Sequence, residues 1–140
     1  MGTRSNIGLV NTDGSIETIY THWDGYPEYV GVQLALNYKD EETVKELLGF
    51  GDRSSLRGAP SAKDSYAERG EVVPSHKWAS FDEYYKGDKA GAEFVYLFQN
   101  GTWFIYTVNF EDESIDYVGV ISKVNVELDT TQKLEIPTLV

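Results

Sequence analysis

EFVYLFQNGTWFIYTVNF, residues 93–110, decides the fold class. Two runs rich in aromatic and β-branched residues flank Asn100–Gly101, the pair that supplies both positive φ angles of a two-residue type I′ turn, so the stretch reads as a β-hairpin. Tyr96, Phe98, Trp103, Phe104 and Tyr106 are assigned to the core, because strands of this composition must bury something. Both faces are apolar; one is expected to carry helices and the other to be partly covered by further chain.

Working outward, NIGLV, NTDG and SIETIYTHW form a second hairpin turned at Asp13–Gly14, with Ile16, Thr18 and Tyr20 alternating against Glu17, Ile19 and Thr21. YVGVQLALNY fits a strand or a helix by period; the helix is preferred because Gln33 to Leu36 are good helix formers and Pro27–Glu28 suits a helix start. KDEETVKELLGFG is a helix with Asp40 as N-cap, acids in its first turn, Val44, Leu47 and Leu48 on one face, and Gly49 or Gly51 at its end. SFDEYYK opens with a Ser80…Glu83 capping box and reads as a short helix. EDESID is an exposed acidic link, and YVGVISKVNVEL is the last strand. The expectation is an α+β fold: a single domain over 1–128, an antiparallel β-sheet with two or three helices packed on one face, a long loop at 52–78, and a loosely held tail at 129–140.

The 140 residues suffice for one core, and 41% hydrophobic content with ten tyrosines excludes a disordered chain. There is no cysteine, hence no disulfide, thiolate metal site or cysteine nucleophile, and a cytosolic home is expected. No apolar run approaches the roughly 20 residues of a membrane span, no signal-peptide pattern opens the chain, and Gly2 with Ser5 misses the myristoylation pattern. A formal net charge of −11 argues against direct nucleic-acid binding. The charge is uneven: residues 1–52 carry three basic and nine acidic side chains, 53–89 seven and six, and 90–140 two and eight. A basic stretch in an acidic chain is either a solvated loop or the material of a small anion site.

Neither G-x-G-x-x-G after a strand nor G-x4-G-K-[ST] is present, and there is no G-x-S-x-G, so dinucleotide, Walker and serine-hydrolase readings fail. No cofactor is implied. Arg53, Ser54, Ser55 and Arg57 offer two guanidiniums and two hydroxyls just after a helix, and Arg4 with Ser5 repeats the pairing before the first strand. Brought together, they would hold a phosphate while Trp23 or Tyr26 stacks on a base and His22 and Asp24 bond base or sugar. The same arginines also suit ion pairs with the many carboxylates. His22, Asp24 and Glu28 have metal-ligand chemistry, which leaves a metal-dependent hydrolase as a further reading, although their spacing matches no closed site. Trp78, Tyr84 and Tyr85 are candidates to line a pocket or a partner surface.

Taken together, TRSNIG, IYTHWDGYPE and GDRSSL resemble a group of small bacteriophage and prophage proteins that share T-R-S-x-I-G, Y-x-H-W-D-G-Y-P-E and G-D-x-S-S-L blocks. The match covers about the first 57 residues well and the aromatic hairpin loosely. It falls on Thr3, Arg4, Ser5, Ile7 and Gly8, on His22 to Glu28, and on Gly51, Asp52, Ser54, Ser55 and Leu56; where that group usually has a cysteine before the histidine, this chain has Thr21. The resemblance implies a phage accessory protein acting in the cytoplasm of an infected bacterial host, and supplies a setting without a mechanism. The leading expectation is non-enzymatic capture of a small anionic, nucleotide-like ligand by Arg4, Ser5, His22, Trp23, Asp24, Tyr26, Arg53, Ser54, Ser55 and Arg57. The alternative is an acidic inhibitor of a host nuclease or other host protein, with EDESID and the acids of residues 40–46 as its charged face.

Overall fold

The structure is a computed structural model that describes residues 3–56, 65–66, 70, 73–87, 89, 91–109, 111–112, 114–121 and 128–129. Strands β1 (Ser5–Val10) and β2 (Ile16–Thr21) form the first hairpin; a π-helical turn, Pro27–Gly31, runs directly into α1 (Val32–Asn37), and α2 (Glu41–Gly49) follows. Then come β3 (His76–Trp78), α3 (Phe81–Lys86), β4 (Phe94–Gln99), β5 (Thr102–Val108), β6 (Ile115–Ile121) and β7 (Leu128–Asp129). The strands make one sheet in the order β3-β2-β1-β4-β5-β6-β7.

The local signals act as expected. Asn100 (φ 51°) and Gly101 (φ 78°) both sit in the left-handed region, as a type I′ turn requires. The Asp40 carboxylate accepts the Thr43 N–H at 2.8 Å at the start of α2, and the Ser80 hydroxyl accepts the Glu83 N–H at 3.1 Å at the start of α3. The Glu83 carboxylate reaches back to the N–H of Ala79, one residue earlier than in the usual capping box.

The sheet departs from the expected antiparallel one: β1 and β4 pair in parallel, from Ser5 opposite Phe94 to Leu9 opposite Phe98, so it is mixed. Each hairpin is antiparallel within itself, and the chain between them travels over both faces before β4 returns beside β1; such a crossover leaves no turn to be read locally. The helices are also divided between the faces. Ile7, Leu9, Ile19, Tyr96, Phe98, Trp103 and Ile105 meet Leu34, Tyr38, Val44, Leu47 and Leu48 of the α1–α2 layer on one side. Val10, Ile16, Val95, Leu97, Phe104 and Tyr106 meet Tyr84 of α3 on the other, with Trp78 and Phe81 packed against them. The central strands are therefore buried on both faces, which is why β4 and β5 are apolar at successive positions.

Hydrogen bonds pin each layer to the sheet: the Trp103 indole N–H donates to the Tyr38 carbonyl at 2.8 Å, and the Asn6 amide donates to the Tyr84 hydroxyl at 2.7 Å. The segment 52–78 is not loop throughout, since its last three residues form edge strand β3, antiparallel to β2, and Arg53 bridges Thr21 and Ser65. The strand read from Tyr117 begins earlier, at Ile115 within the acidic link, and its continuation is a separate pairing of β7 on β6. Asp129, expected to open the tail at 129–140, thus belongs to the sheet, and the rest of that tail, 130–140, lies outside the described residues.

Candidate functional site

β2 ends at Thr21, and the chain turns through Asp24, whose φ of 57° is left-handed, into Gly25, Tyr26 and the Pro27 that opens the π-helical turn. This corner is stitched to the two other sequence blocks by backbone bonds. The N–H of His22 donates to the Arg53 carbonyl (3.2 Å), that of Trp23 to Ser54 (2.8 Å) and that of Gly25 to Thr3 (2.8 Å), while the Arg53 N–H donates back to Tyr20 (2.9 Å). The Tyr96 hydroxyl donates to the Gly25 carbonyl at 2.7 Å from beneath. TRS, HWDGYPE and GDRSSL therefore meet in space.

Their side chains divide between two environments. The Tyr20 phenol lies 2.6 Å from Nδ1 of His22 and is also hydrogen-bonded to the Arg4 side chain; the His22 ring meets Trp23 edge-on at 4.6 Å. Burial raises the Tyr20 pKa and outweighs the opposing Arg4 charge, so the phenol stays protonated. It accepts from Arg4 and shares a second hydrogen bond with Nδ1 of His22, whose direction is set by the imidazole tautomer. Arg4, Trp23 (46% exposed), Asp24 and Tyr26 (37% exposed) face solvent, and His22 and Ser54 are half-buried.

Ser5, Arg53 and Ser55 behave otherwise and correct the expected ligand set. Arg53 is 2% exposed; its Nε donates to the Ser55 carbonyl at 2.6 Å, and its charge bears on the buried Tyr38 phenol, whose pKa burial pushes up to about 12. Ser5 pairs with Thr21 across the β1–β2 ladder, and Thr21 bridges Arg53. The side-chain oxygens of Ser5, Thr21 and Tyr38 are buried without a hydrogen-bond partner among the described residues. This group lies under the α1–α2 layer, inside the protein, because alternation along β1 sends Ser5 to the face opposite Asn6. Arg57 lies outside the described residues.

On the α3 side a half-open cleft of about 160 Å³ is lined by Asn6, Thr18, Tyr20, Asp52, His76, Trp78 and Lys89, among others. Asp52, His76 and Lys89 were not in the sequence-derived site; Asp52 does stand in the GDRSSL block, whereas His76 and Lys89 have no local signature. Asp52 accepts the Tyr20 N–H at 2.9 Å, and burial raises its pKa against that bond and the charge of His76. His76 stacks on Trp78 at 4.1 Å and 21°, and the Trp78 N–H donates to Thr18 Oγ1 at 3.0 Å. Lys89 donates to the carbonyls of Tyr85 (2.6 Å) and Gly87 (3.1 Å), closing the C-terminal end of α3 while bringing a cation to the cleft. Of the three aromatics left open by the sequence, Trp78 lines this cleft, Tyr84 is core and Tyr85 is exposed.

Among the described residues no group of three or more His, Asp and Glu side chains lies close enough to hold a metal ion, so His22, Asp24 and Glu28 do not make such a set. No helix among them is long and apolar enough to cross a membrane. No protein-family model matches the chain, and neither the curated proteins nor the solved structures contain a match.

Proposed function

We propose that the protein captures a small anionic, nucleotide-like ligand without transforming it. The observation that carries this reading is the continuous row Arg4–Tyr20–His22–Trp23, with a guanidinium at one end and an exposed indole at the other. A guanidinium grips phosphate oxygens in a bidentate way, and an indole face stacks on a base of any identity. The His22 imidazole, between them, supplies a ring nitrogen to hydrogen-bond sugar or base. Arg53 is a structural residue in this reading, and Arg4 is the phosphate contact. The likeness of the three blocks to phage and prophage proteins sets the capture in the infected bacterial cytoplasm, as a host-interaction or counter-defence role.

Native mass spectrometry of the purified protein after incubation with host-cell lysate tests it. An adduct of a few hundred daltons is expected on the wild type and is lost in Arg4→Ala and Trp23→Ala, both of which keep the fold. Equal uptake by both variants would overturn the assignment.

A second reading, an acidic inhibitor of a host protein, has support in the exposed Asp40, Glu41, Glu42 and Glu46 on and beside α2, and in Trp23 and Tyr26 exposed next to Asp24 and Glu28. Aromatic anchors ringed by charge suit a basic partner surface. A host protein that co-purifies without a small adduct, and dissociates as salt rises, would favour this reading over the first.

A further inference from the structure

The cleft beside Tyr20 has a carboxylate where an anion site would be expected to have only cations. The Asp52 carboxylate uses one oxygen for the Tyr20 N–H and accepts no other hydrogen bond from the described residues. Asn6, across the ladder from Tyr20, commits its amide N–H to Tyr84, and Thr18 accepts from Trp78, so the polar walls are already oriented. Arg4 stands at the Tyr20 end, and its Nη1 is within 2.9 Å of where a Cβ on Gly91 would lie, two residues beyond Lys89. At about 160 Å³ the cleft is smaller than the roughly 300–1,000 Å³ of pockets that enclose a whole drug-sized ligand, so it takes one part of a molecule and leaves the rest outside.

We propose that this cleft is the selective half of the site that begins at Arg4, with Asp52 accepting a hydrogen bond from a hydroxyl or amino donor of the ligand. The inference rests on the ligand-capture reading and deepens it. A phosphate is repelled by Asp52 and stays outside on Arg4; the part that enters is neutral and carries a donor. A ribonucleotide has both, whereas inorganic phosphate lacks the donor-bearing part. The donor comes from the ribose hydroxyls or from an exocyclic amine of the base, and either meets the same carboxylate oxygen.

The test is calorimetric titration of the full chain with adenosine and guanosine monophosphates, their deoxyribose counterparts and inorganic phosphate. At least one ribonucleotide is expected to bind about tenfold or more tightly than phosphate, the scale set by a buried polar group that loses its partner. Loss of that margin in the deoxy forms assigns the donor to the sugar; a margin kept by the deoxy forms but differing between bases assigns it to the amine. Asp52→Asn, which retains an oxygen for the Tyr20 N–H, is expected to cut the margin about tenfold, leaving what stacking on Trp23 supplies. Phosphate binding as tightly as every nucleotide in the wild type would overturn the proposal without any variant. Unchanged selectivity in Asp52→Asn, with binding abolished in Arg4→Ala, would overturn it while leaving ligand capture standing; failure of all the nucleotides and phosphate to bind would remove both.

Discussion

The Tyr20 hydroxyl lies 2.6 Å from Nδ1 of His22 and is hydrogen-bonded to the Arg4 side chain, so one phenol sets an imidazole and a cation in fixed relation. Tyr20→Phe removes that link and leaves the ring and the backbone bond to Asp52 in place. The expected cost in stability is about 1 kcal/mol, the usual net worth of a hydrogen bond. Ligand uptake should fall far more, by an order of magnitude, because Arg4 and His22 both lose their positioning. Thermal melting and the adduct measurement, made on the same preparation, separate the two effects.

Arg53 should behave in the opposite sense to Arg4. It is 2% exposed and donates to the Ser55 carbonyl, so Arg53→Ala leaves a void and an unpaired acceptor in the interior. A loss of about 3 kcal/mol or more is expected by urea denaturation. Arg4→Ala, at the exposed edge, should stay within about 1 kcal/mol of the wild type. If instead Arg53→Ala folds normally and only ligand uptake suffers, Arg53 is a ligand contact after all.

What was legible in the sequence is what short-range chemistry determines. Asn100–Gly101 requires positive φ at both positions, Asp40 and Ser80 have their cap partners three residues on, and all three signals produced the expected elements. The parallel pairing of β1 with β4 was not legible, because no residue in either strand encodes a partner so distant in the chain. Nor was the placement of α3, since an apolar face on a short helix fits either side of a sheet that is apolar on both. The site divided along the same line. Arg4, His22 and Trp23 are found at one surface, but Arg53 has the composition of a surface residue and is buried by the bridge that Thr21 makes with it. Asp52, His76 and Lys89 come from the end of α2, the edge strand and the segment after α3, and only the tertiary fold assembles them.

Gly25 holds the corner against β1 with no room for a side chain. A Cβ there would lie 2.7 Å from the Ser5 side chain and from the Thr3 carbonyl, the same carbonyl that accepts the Gly25 N–H. Gly25→Ala must push the corner outward, weakening that bond and the one from the Tyr96 hydroxyl. Overpacking of this kind costs about 1–3 kcal/mol. The melting temperature should fall, and amide exchange should accelerate at Gly25 first; an unchanged exchange rate there would refute the stitching of corner to strand.

The buried tyrosines predict how the protein fails in alkali. Burial raises the pKa of Tyr38 to about 12 and drives those of Tyr84, Tyr96 and Tyr106 still higher, against an ordinary value of 10.0. In the unfolded chain all four phenols lose their protons near pH 10, whereas the folded chain keeps them. Between those limits the native state binds more protons than the unfolded one, so stability falls as pH rises; below the unfolded value this contribution is fully present and flat. Unfolding should therefore be abrupt above pH 10, and the tyrosinate absorbance of the buried phenols should appear together with the loss of circular dichroism. Asn6→Ala removes the bond to the Tyr84 hydroxyl and strands a buried phenol, so its transition should move to lower pH. Smooth titration of all ten tyrosines near their ordinary value, with the fold intact, would show that the phenols are not buried as described.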